Sequence, residues 1–109
     1  MKAAVLLVAV IPTIVSGWRI RLYRNTQYEA SSIIEDRSGT VGQPCKNLAS
    51  KNVASSMHWD NGALNCNIRL FDGNDCNGAI LGDAKYGDWN VPDFSSVADN
   101  KVNSYNIDC

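Results

Sequence analysis

Two similar short segments, both rich in side-chain oxygen atoms, occur in this chain. Residues 51–56 read KNVASS, and residues 99–104 read DNKVNS. Each segment contains the pattern Asn-x-x-x-Ser, which begins at Asn52 in the first and at Asn100 in the second. Short polar side chains of this kind hydrogen-bond a loop backbone or offer oxygen ligands to a hard cation such as calcium. The pattern therefore indicates structural corners, a cation site, or both.

The chain has one histidine, His58, which follows Ser56 by two positions. On a strand these side chains share a face, as a nucleophile and its base would. No third group is evident, so we interpret His58 as a surface histidine of a sheet. The acidic pair Glu35-Asp36 is expected in a turn, and no carboxylate arrangement typical of glycosidases can be identified. We therefore expect a protein that is not an enzyme.

The cysteines could form disulfides or bind zinc. Zinc would favour close Cys-x-x-Cys pairs or added histidines, whereas the nearest cysteines here, Cys66 and Cys76, are much further apart in sequence. An even number of cysteines favours two disulfides in an oxidising compartment. Three connectivities are open, and the rise of an extended strand disfavours a bridge between Cys66 and Cys76. The four residues concerned are Cys45, Cys66, Cys76 and Cys109.

The N-terminal segment 1–17 has the pattern of a secretory signal peptide. Lys2 precedes an apolar run from Ala3 to Val15, and small residues follow it. A transmembrane anchor is the alternative, but the run is shorter than the roughly 20 residues that span a bilayer. We expect cleavage after Gly17, give or take two positions. The product would be a secreted, extracellular protein of residues 18–109 without a membrane span.

The charge of this product argues against two classes of partner. Loss of Lys2 leaves nine basic and eleven acidic residues, a net charge of −2. The basic residues are scattered, whereas nucleic acids and anionic membranes favour clustered Lys and Arg. We therefore predict no nucleic-acid partner.

Short runs with the periodicity of β-strands recur along the chain. Residues 18–23 (WRIRLY) alternate apolar and polar side chains, and the same pattern recurs at 56–59, 66–71 and 104–107. No apolar pattern of helical period is found after the leader. Turn signals separate the runs, namely Asn61-Gly62, Asp72-Gly73, Asn77-Gly78, Pro44 and Pro92. The predicted class is an all-β sandwich or barrel.

A gapless internal repeat organises these runs. It aligns residues 20–22 with residues 68–70, which both read IRL, and the same constant offset aligns Ser56 with Ser104. The first motif covers 18–60 and the second covers 66–109. The link between the motifs is short, so we predict that they form one domain.

Each motif begins with a strand and continues into a hairpin that follows the pattern aromatic-x4-aromatic-x-Gly with one departure, Ala30 for the glycine in the first motif and Cys76 for the second aromatic in the second. The first hairpin reads YRNTQYEA from Tyr23, and the second reads FDGNDCNG from Phe71. The aromatic side chains can pack across a folded hairpin, and glycine allows a positive φ. The pattern therefore predicts a tight hairpin at the same place in both motifs.

The hairpin pattern, the later serine corner and their duplication resemble the βγ-crystallin superfamily. Residues 43–48 (QPCKNL) are also similar to the segment after the second strand in that family. The resemblance implies a sandwich of two four-stranded Greek-key motifs, each of which lends its third strand to the other's sheet. The chain resembles small secreted microbial members, which include yeast-killer-toxin-like and metalloproteinase-inhibitor-like proteins, more than the lens proteins, because we expect one domain, a signal peptide and disulfides.

The resemblance also implies a disulfide pairing. The first and last strands of the second motif would lie side by side, which places Cys66 next to Cys109 and leaves Cys45 for Cys76. A bridge between Cys45 and Cys109 is the alternative.

Calcium-binding members of this family carry (Asn/Asp)-(Asn/Asp)-x-x-(Ser/Thr)-Ser in each motif. The second motif keeps most of this pattern, whereas Lys51 occupies a ligand position of the first. We therefore expect one calcium site rather than two, unless these residues only hydrogen-bond the loops. The candidate ligands are Asp99, the backbone at Asn100 and Lys101, Ser55, a hairpin carbonyl from Glu29 or Asn77, and the amide oxygen of Asn103.

Three functions follow from this comparison. The first is a secreted, non-enzymatic domain stabilised by calcium, and the second is an antimicrobial toxin or effector. The third is a protease inhibitor, which would need a rigid exposed loop such as 42–48 or 90–94. In each case we expect a monomer with an extracellular target that the sequence does not identify.

Overall fold

The computed structural model describes residues 17–85, 87–95 and 98–109, and the predicted leader up to residue 16 lies outside them. The described chain forms eight strands and two short 3-10 turns, which confirms the all-β class. The strands are β1 (Trp18–Tyr23), β2 (Ile33–Gly39), β3 (Gln43–Asn47), β4 (Ser56–Asp60), β5 (Asn67–Phe71), β6 (Ile80–Ala84), β7 (Trp89–Val91) and β8 (Ser104–Asp108). The 3-10 turns are Ala30–Ser32 and Asn74–Cys76.

The strands form two antiparallel four-stranded sheets that exchange one strand each. The first sheet has the order β2-β1-β4-β7, and the second has the order β3-β8-β5-β6. β3 belongs to the first motif in sequence but pairs with β8, while β7 belongs to the second motif but pairs with β4. This is the strand exchange that the resemblance implies. Because of it, the two motifs share one core.

Alternation along the central strands places their apolar side chains between the sheets. In β1, Ile20 and Leu22 are fully buried, while Arg19 between the buried residues Trp18 and Ile20 is exposed. Trp59 of β4 and Tyr105 of β8 are the largest side chains without solvent contact. Full burial of an aliphatic side chain such as that of Ile20 or Leu22 stabilises the fold by about 1.5–3 kcal/mol. The core thus follows directly from the period-two pattern of the sequence.

Strand prediction succeeded for the central strands and failed at the edges. The four alternating runs correspond to β1, β4, β5 and β8, whereas the other four strands lack clear alternation. The expected turn at Glu35-Asp36 was wrong, since both residues lie in β2 and pair with Leu22 and Arg21 of β1. An edge strand needs only one hydrogen-bonded neighbour and tolerates charges, which also discourage pairing with other chains.

Both predicted disulfides are present. Cys45 in β3 is joined to Cys76 in the second hairpin, with Cα atoms 5.8 Å apart. Cys66, which immediately precedes β5, is joined to Cys109, which follows β8, with Cα atoms 4.1 Å apart. The first bridge connects the two motifs, and the second closes the end of the second motif.

The folded hairpins keep the internal repeat in their backbone. Gln27 and Tyr28 of the first hairpin have φ values of 60° and 55°, and their counterparts Asp75 and Cys76 have 59° and 55°. This left-handed conformation folds each hairpin back over its sheet. In the first motif Tyr28 packs edge-to-face on Tyr23, with ring centroids 5.8 Å apart. In the second motif the disulfide of Cys76 takes the place of that aromatic contact.

Candidate functional site

The serine that begins the last strand of each motif holds the folded hairpin in place. The hydroxyl of Ser56 donates to the carbonyl of Asn25 at 2.6 Å and accepts from the amide of Tyr28 at 3.3 Å. Ser104 makes the equivalent two bonds in the second motif, at 2.6 and 3.0 Å. Both serines are fully buried. Both hydroxyls form hydrogen bonds with the backbone and are not exposed as nucleophiles.

His58 lies on the outer face of the first sheet, as the strand pattern predicts. Its ring stacks on Tyr28 with centroids 3.6 Å apart, and Nδ1 lies 2.7 Å from the amide oxygen of Asn90 in the neighbouring strand β7. No sequence pattern indicates this stack, because it depends on how far the hairpin folds over the sheet. With Ser56 committed to the backbone, the pair is not arranged for catalysis.

The two oxygen-rich segments turn in the same way at equivalent residues. Asn52 and Asn100 both have a φ of 57°, a left-handed conformation that asparagine adopts more readily than most residues. The amide of Asn100 donates to the carbonyl of Ala54 at 3.0 Å, so the second segment is bonded directly to the first. The exchange of strands between the sheets brings these segments together.

One group of predicted ligands meets where the segments touch. The hydroxyl of Ser55 lies 3.3 Å from Oδ1 of Asn100, although the two residues belong to different motifs. Oδ2 of Asp99 accepts a long hydrogen bond from the side-chain amide of Asn100 at 3.5 Å. Oδ1 of Asp99 is buried and has no hydrogen-bond partner among the described residues. We refer to Ser55, Asp99 and Asn100 as the Asn100 cluster.

The equivalent residues of the other half form a different arrangement. Oδ1 of Asn103 accepts from the amide of Asn52 at 2.9 Å, and Nδ2 of Asn103 donates to Oδ1 of Asn52 at 2.9 Å and to the carbonyl of Asp72 at 2.6 Å. The ammonium group of Lys51 lies 3.5 Å from the carbonyl oxygen of Asn103. We refer to Lys51, Asn52 and Asn103 as the Asn103 cluster. The side-chain oxygens of Asn52 and Asn103 accept hydrogen bonds, and the positive charge of Lys51 lies beside the carbonyl oxygen of Asn103.

Each cluster is bonded to the start of one hairpin. The amide of Ser55 donates to the carbonyl of Tyr23 at 2.8 Å, where the hairpin that carries Glu29 begins. The amide of Asn103 donates to the carbonyl of Phe71 at 2.9 Å, where the hairpin that carries Asn77 begins. Of the two hairpin carbonyls considered from the sequence, that of Glu29 is thus on the hairpin attached to the Asn100 cluster.

Both of these hairpin carbonyls already accept hydrogen bonds. The carbonyl of Glu29 accepts from the amide and the hydroxyl of Ser32 at 3.0 and 2.8 Å. The carbonyl of Asn77 accepts from the amide of Gly73 at 3.1 Å. The carboxylate of Glu29 accepts from Ser31 and Asn25, both at 2.6 Å, and these bonds lower the pKa of Glu29 below its usual value. The first hairpin therefore carries a carboxylate that accepts two side-chain hydrogen bonds.

The Asn100 cluster offers only oxygen atoms for a cation, and Lys101 beside it is exposed. Within ranges 17–85, 87–95 and 98–109, no three His, Cys, Asp or Glu side chains lie close enough together to hold a metal ion. A cation at this position would rely on one carboxylate together with hydroxyl, amide and main-chain oxygens. That donor set suits a hard cation rather than zinc or copper.

No helix in the described part of the chain is long and apolar enough to cross a membrane.

No family model matches the sequence, and no curated protein matches it.

Solved structures that resemble the chain share one fold. A βγ-crystallin domain from Flavobacterium johnsoniae has a TM-score of 0.57 at 17% identity, covering 81% of this chain and 91% of that one. A βγ-crystallin from an archaeon has a TM-score of 0.55 at 17% identity, covering 81% and 94%. A βγ-crystallin domain from Clostridium beijerinckii has a TM-score of 0.56 at 11% identity, covering 82% and 95%. At these identities the comparison concerns the fold.

Proposed function

We propose that this chain, which has the βγ-crystallin fold, is a secreted, non-enzymatic domain that binds one calcium ion and is stabilised by it. The ion would be held by the Asn100 cluster, with main-chain oxygen from the segment of Asn100 and Lys101. The hairpin that carries Glu29 would complete the site, once the carbonyl of Glu29 exchanges a hydrogen bond from Ser32 for the ion.

One contact carries the proposal, namely the approach of Ser55 to Asn100 at 3.3 Å. It joins a hydroxyl of the first motif to an amide oxygen of the second. A cation bound there would link both motifs. It would therefore stabilise the folded state, in which the two groups meet, over the unfolded chain, in which they do not.

Oδ1 of Asp99, which is buried and has no hydrogen-bond partner among the described residues, is a second observation in favour of a cation. A buried carboxylate oxygen without a partner destabilises the protein, because it has lost its hydration and gained no hydrogen bond. A calcium ion would restore that interaction. Since the cluster offers one carboxylate, the affinity should fall in the weak range of extracellular calcium modules, with a dissociation constant of about 10⁻⁴–10⁻³ M.

The Asn103 cluster supports a stoichiometry of one. Its amide oxygen already accepts from the backbone of Asn52, and the ammonium group of Lys51 would repel a cation. A second ion would have to break these hydrogen bonds and enter beside a positive charge.

Two further features support secretion and the absence of catalysis. Both disulfides form from the four cysteines, as is typical of proteins in oxidising compartments. The hydroxyl of Ser56, which has the residue type and spacing of a nucleophile beside His58, is buried and bonded to the backbone on both sides.

The test is a calcium titration of the disulfide-intact protein, followed by its thermal unfolding midpoint. Calcium at about ten times the dissociation constant should raise the midpoint by about 5–10 °C. Magnesium should have a smaller effect, because it needs stricter octahedral geometry.

The Asp99→Ala variant should lose most of the calcium-dependent shift. Asp93→Ala removes the same charge from an exposed residue outside the cluster and should keep the shift. A wild-type midpoint that does not change at millimolar calcium would overturn the proposal. Equal loss in both variants would overturn the assignment of the site.

A further inference from the structure

The chain contains two Asn-Gly dipeptides, at Asn61 and Asn77, and one Asp-Gly dipeptide, at Asp72. In such dipeptides the amide nitrogen of the glycine can attack the side-chain carbon of the preceding residue, because no Cβ obstructs its approach. The attack requires a side chain that can rotate and a backbone amide that is not held by an acceptor. In two of the three dipeptides both reacting groups are held by hydrogen bonds, and in the third they are not.

The dipeptide at Asn61 is held in place. The amide of Gly62 donates to Oδ1 of Asp60 at 3.0 Å, and the side-chain amide of Asn61 donates to Asn65. Gly62 also packs closely against the backbone of Gly17, since a Cβ built on Gly62 would lie 2.6 Å from the Gly17 carbonyl carbon. The attacking nitrogen and the carbon it would attack are therefore both fixed in other interactions.

The dipeptide at Asp72 is also held. The amide of Gly73 donates to the carbonyl of Asn77 at 3.1 Å, and Oδ1 of Asp72 accepts from the amide of Ala79 at 2.8 Å. Both reacting groups are thus bonded to other parts of the second hairpin.

Asn77 differs from both. Its side chain is exposed, and within the described chain neither its side-chain amide nor the amide of Gly78 makes a hydrogen bond. Gly78 has a φ of 83° and packs against the carboxylate of Asp72, with which a Cβ would clash, so glycine is the residue that fits this turn. This close packing is shared with Gly62, and what distinguishes Gly78 is that its amide is not hydrogen-bonded within the described chain. The flanking backbone is anchored, because the amide of Asn77 donates to the carbonyl of Asn74 at 3.1 Å. The peptide between the two residues is held through the carbonyl of Asn77, which accepts from the amide of Gly73 at 3.1 Å. Neither of the two reacting groups has a hydrogen-bond partner within the described chain.

We propose that Asn77 is the site of spontaneous deamidation in this protein. The nitrogen of Gly78 forms a bond to Cγ of Asn77, the bond from Cγ to the side-chain nitrogen breaks, and ammonia leaves with the proton of the Gly78 amide. Water then opens the cyclic imide at either carbonyl. The products are aspartate and isoaspartate at position 77, and no other reactant is needed.

The modification changes a constrained part of the molecule. Asn77 follows directly on Cys76, whose disulfide to Cys45 joins the second hairpin to β3. Isoaspartate inserts one methylene group into the backbone at this position, and both products add one negative charge. The aged protein should therefore separate from the fresh protein by anion exchange. The proposal does not depend on calcium binding.

The test is ageing of the folded, disulfide-intact protein at mildly alkaline pH, well below its unfolding midpoint, followed by peptide mass spectrometry. Deamidation at Asn77 should be at least about tenfold faster than at Asn61, because reaction at Asn61 must first break the hydrogen bond to a charged acceptor. Comparable rates at both residues, or an unmodified Asn77, would overturn the proposal.

Two controls test the physical reason. Asp60→Ala removes the acceptor of the Gly62 amide and should raise the rate at Asn61 without changing that at Asn77. In denaturant with the disulfides reduced, both residues should react at similar rates, since both precede glycine. A rate difference that persists in the unfolded chain would show that the fold does not select Asn77.

Discussion

The phenol of Tyr105 donates a hydrogen bond of 2.6 Å to Oε2 of Glu35. Tyr105 belongs to β8 of the second sheet and is fully buried, whereas Glu35 belongs to the edge strand β2 of the first sheet. The bond therefore crosses the sandwich. The first motif has no equivalent, since the counterpart of Tyr105 in the repeat is Met57. Burial, followed by the hydrogen bond and the charge of Glu35, raises the pKa of Tyr105 well above its usual range.

This raised pKa predicts a loss of stability at alkaline pH. In the unfolded chain Tyr105 should titrate near its ordinary pKa of about 10, whereas in the folded protein it stays protonated. Its contribution to stability is complete below that pH and declines as the pH rises further, by up to about 1.4 kcal/mol per pH unit. Urea unfolding measured across this range should show the decline, and tyrosinate absorbance from Tyr105 should appear only with unfolding.

Tyr105→Phe keeps the ring and removes the titrating group. The variant should lose about 1–2 kcal/mol near neutral pH, where the hydrogen bond is intact, and should show a shallower alkaline decline. A decline as steep as that of the wild type would show that other groups control alkaline unfolding.

The serine corners predict an asymmetry between the two hairpins. Ser56→Ala should destabilise the protein by about 1–3 kcal/mol, because the partly buried hydrogen bonds to the carbonyl of Asn25 and from the amide of Tyr28 are lost. The first hairpin has no disulfide, so its amide at Tyr28 should exchange with solvent much faster in this variant. Hydrogen exchange at Tyr28 measures the effect.

Ser104→Ala is the matched variant in the second motif. Its hairpin is also held by Cys45–Cys76 and by the pair of bonds between Asn47 and Asp75, at 2.9 and 2.7 Å. Hydrogen exchange at the amide of Cys76 should therefore accelerate less in Ser104→Ala than exchange at the amide of Tyr28 does in Ser56→Ala. Equal acceleration would show that the disulfide does not replace the aromatic contact.

The two disulfides should contribute similar amounts to stability through chain entropy. They span 31 and 43 residues, and each should stabilise the fold by about 3–4 kcal/mol in the loop-closure model. Replacing Cys66 and Cys109 by alanine should cost more than replacing Cys45 and Cys76, because Cys66 is only 1% exposed and its loss leaves space in the core. Urea unfolding of the two double variants compares them, and the reverse order would contradict this account.

The sequence predicted the four central strands of the two sheets better than the four edge strands. β1 and β5 alternate because one face of each packs on the core, and the resemblance implied that β8 lies beside β5, as it does. β2 carries Glu35 and Asp36 at an edge, where burial does not impose alternation. The bond from Tyr105 to Glu35 was unpredictable for the same reason, since it requires the position of an edge strand in the opposite sheet.

For the candidate calcium ligands, the positions in the sequence were predictable but the hydrogen bonds were not. The constant offset of the repeat placed Ser55 and Asn103 at equivalent positions, and the resemblance implied that Ser55 approaches the segment of Asn100. Which hydrogen bonds each of these side chains makes could be learned only from the structure. Asn103 and Asn52 are bonded amide to amide, and this depends on side-chain orientation rather than on spacing.

The Asn103 cluster predicts how a second calcium site could be created, provided that the Asn100 cluster binds calcium as proposed. Lys51→Asp together with Asn103→Ser gives this cluster the side chains of the Asn100 cluster. The calcium stoichiometry should rise from one to two by isothermal titration calorimetry. Without calcium the double variant should be less stable than the wild type by about 1–3 kcal/mol, since the bonds of Asn103 to Asn52 and Asp72 are lost.

The single variant Lys51→Asp separates charge from hydrogen bonding. It removes the ammonium group but leaves the amide oxygen of Asn103 bonded to Asn52, so it should not bind a second ion. Lys85→Asp makes the same change of charge at an exposed residue outside both clusters and should also bind one ion. If the single variant binds two ions, the positive charge alone closes the second site. If the double variant still binds one, the side chains of the Asn100 cluster are not sufficient to form a site.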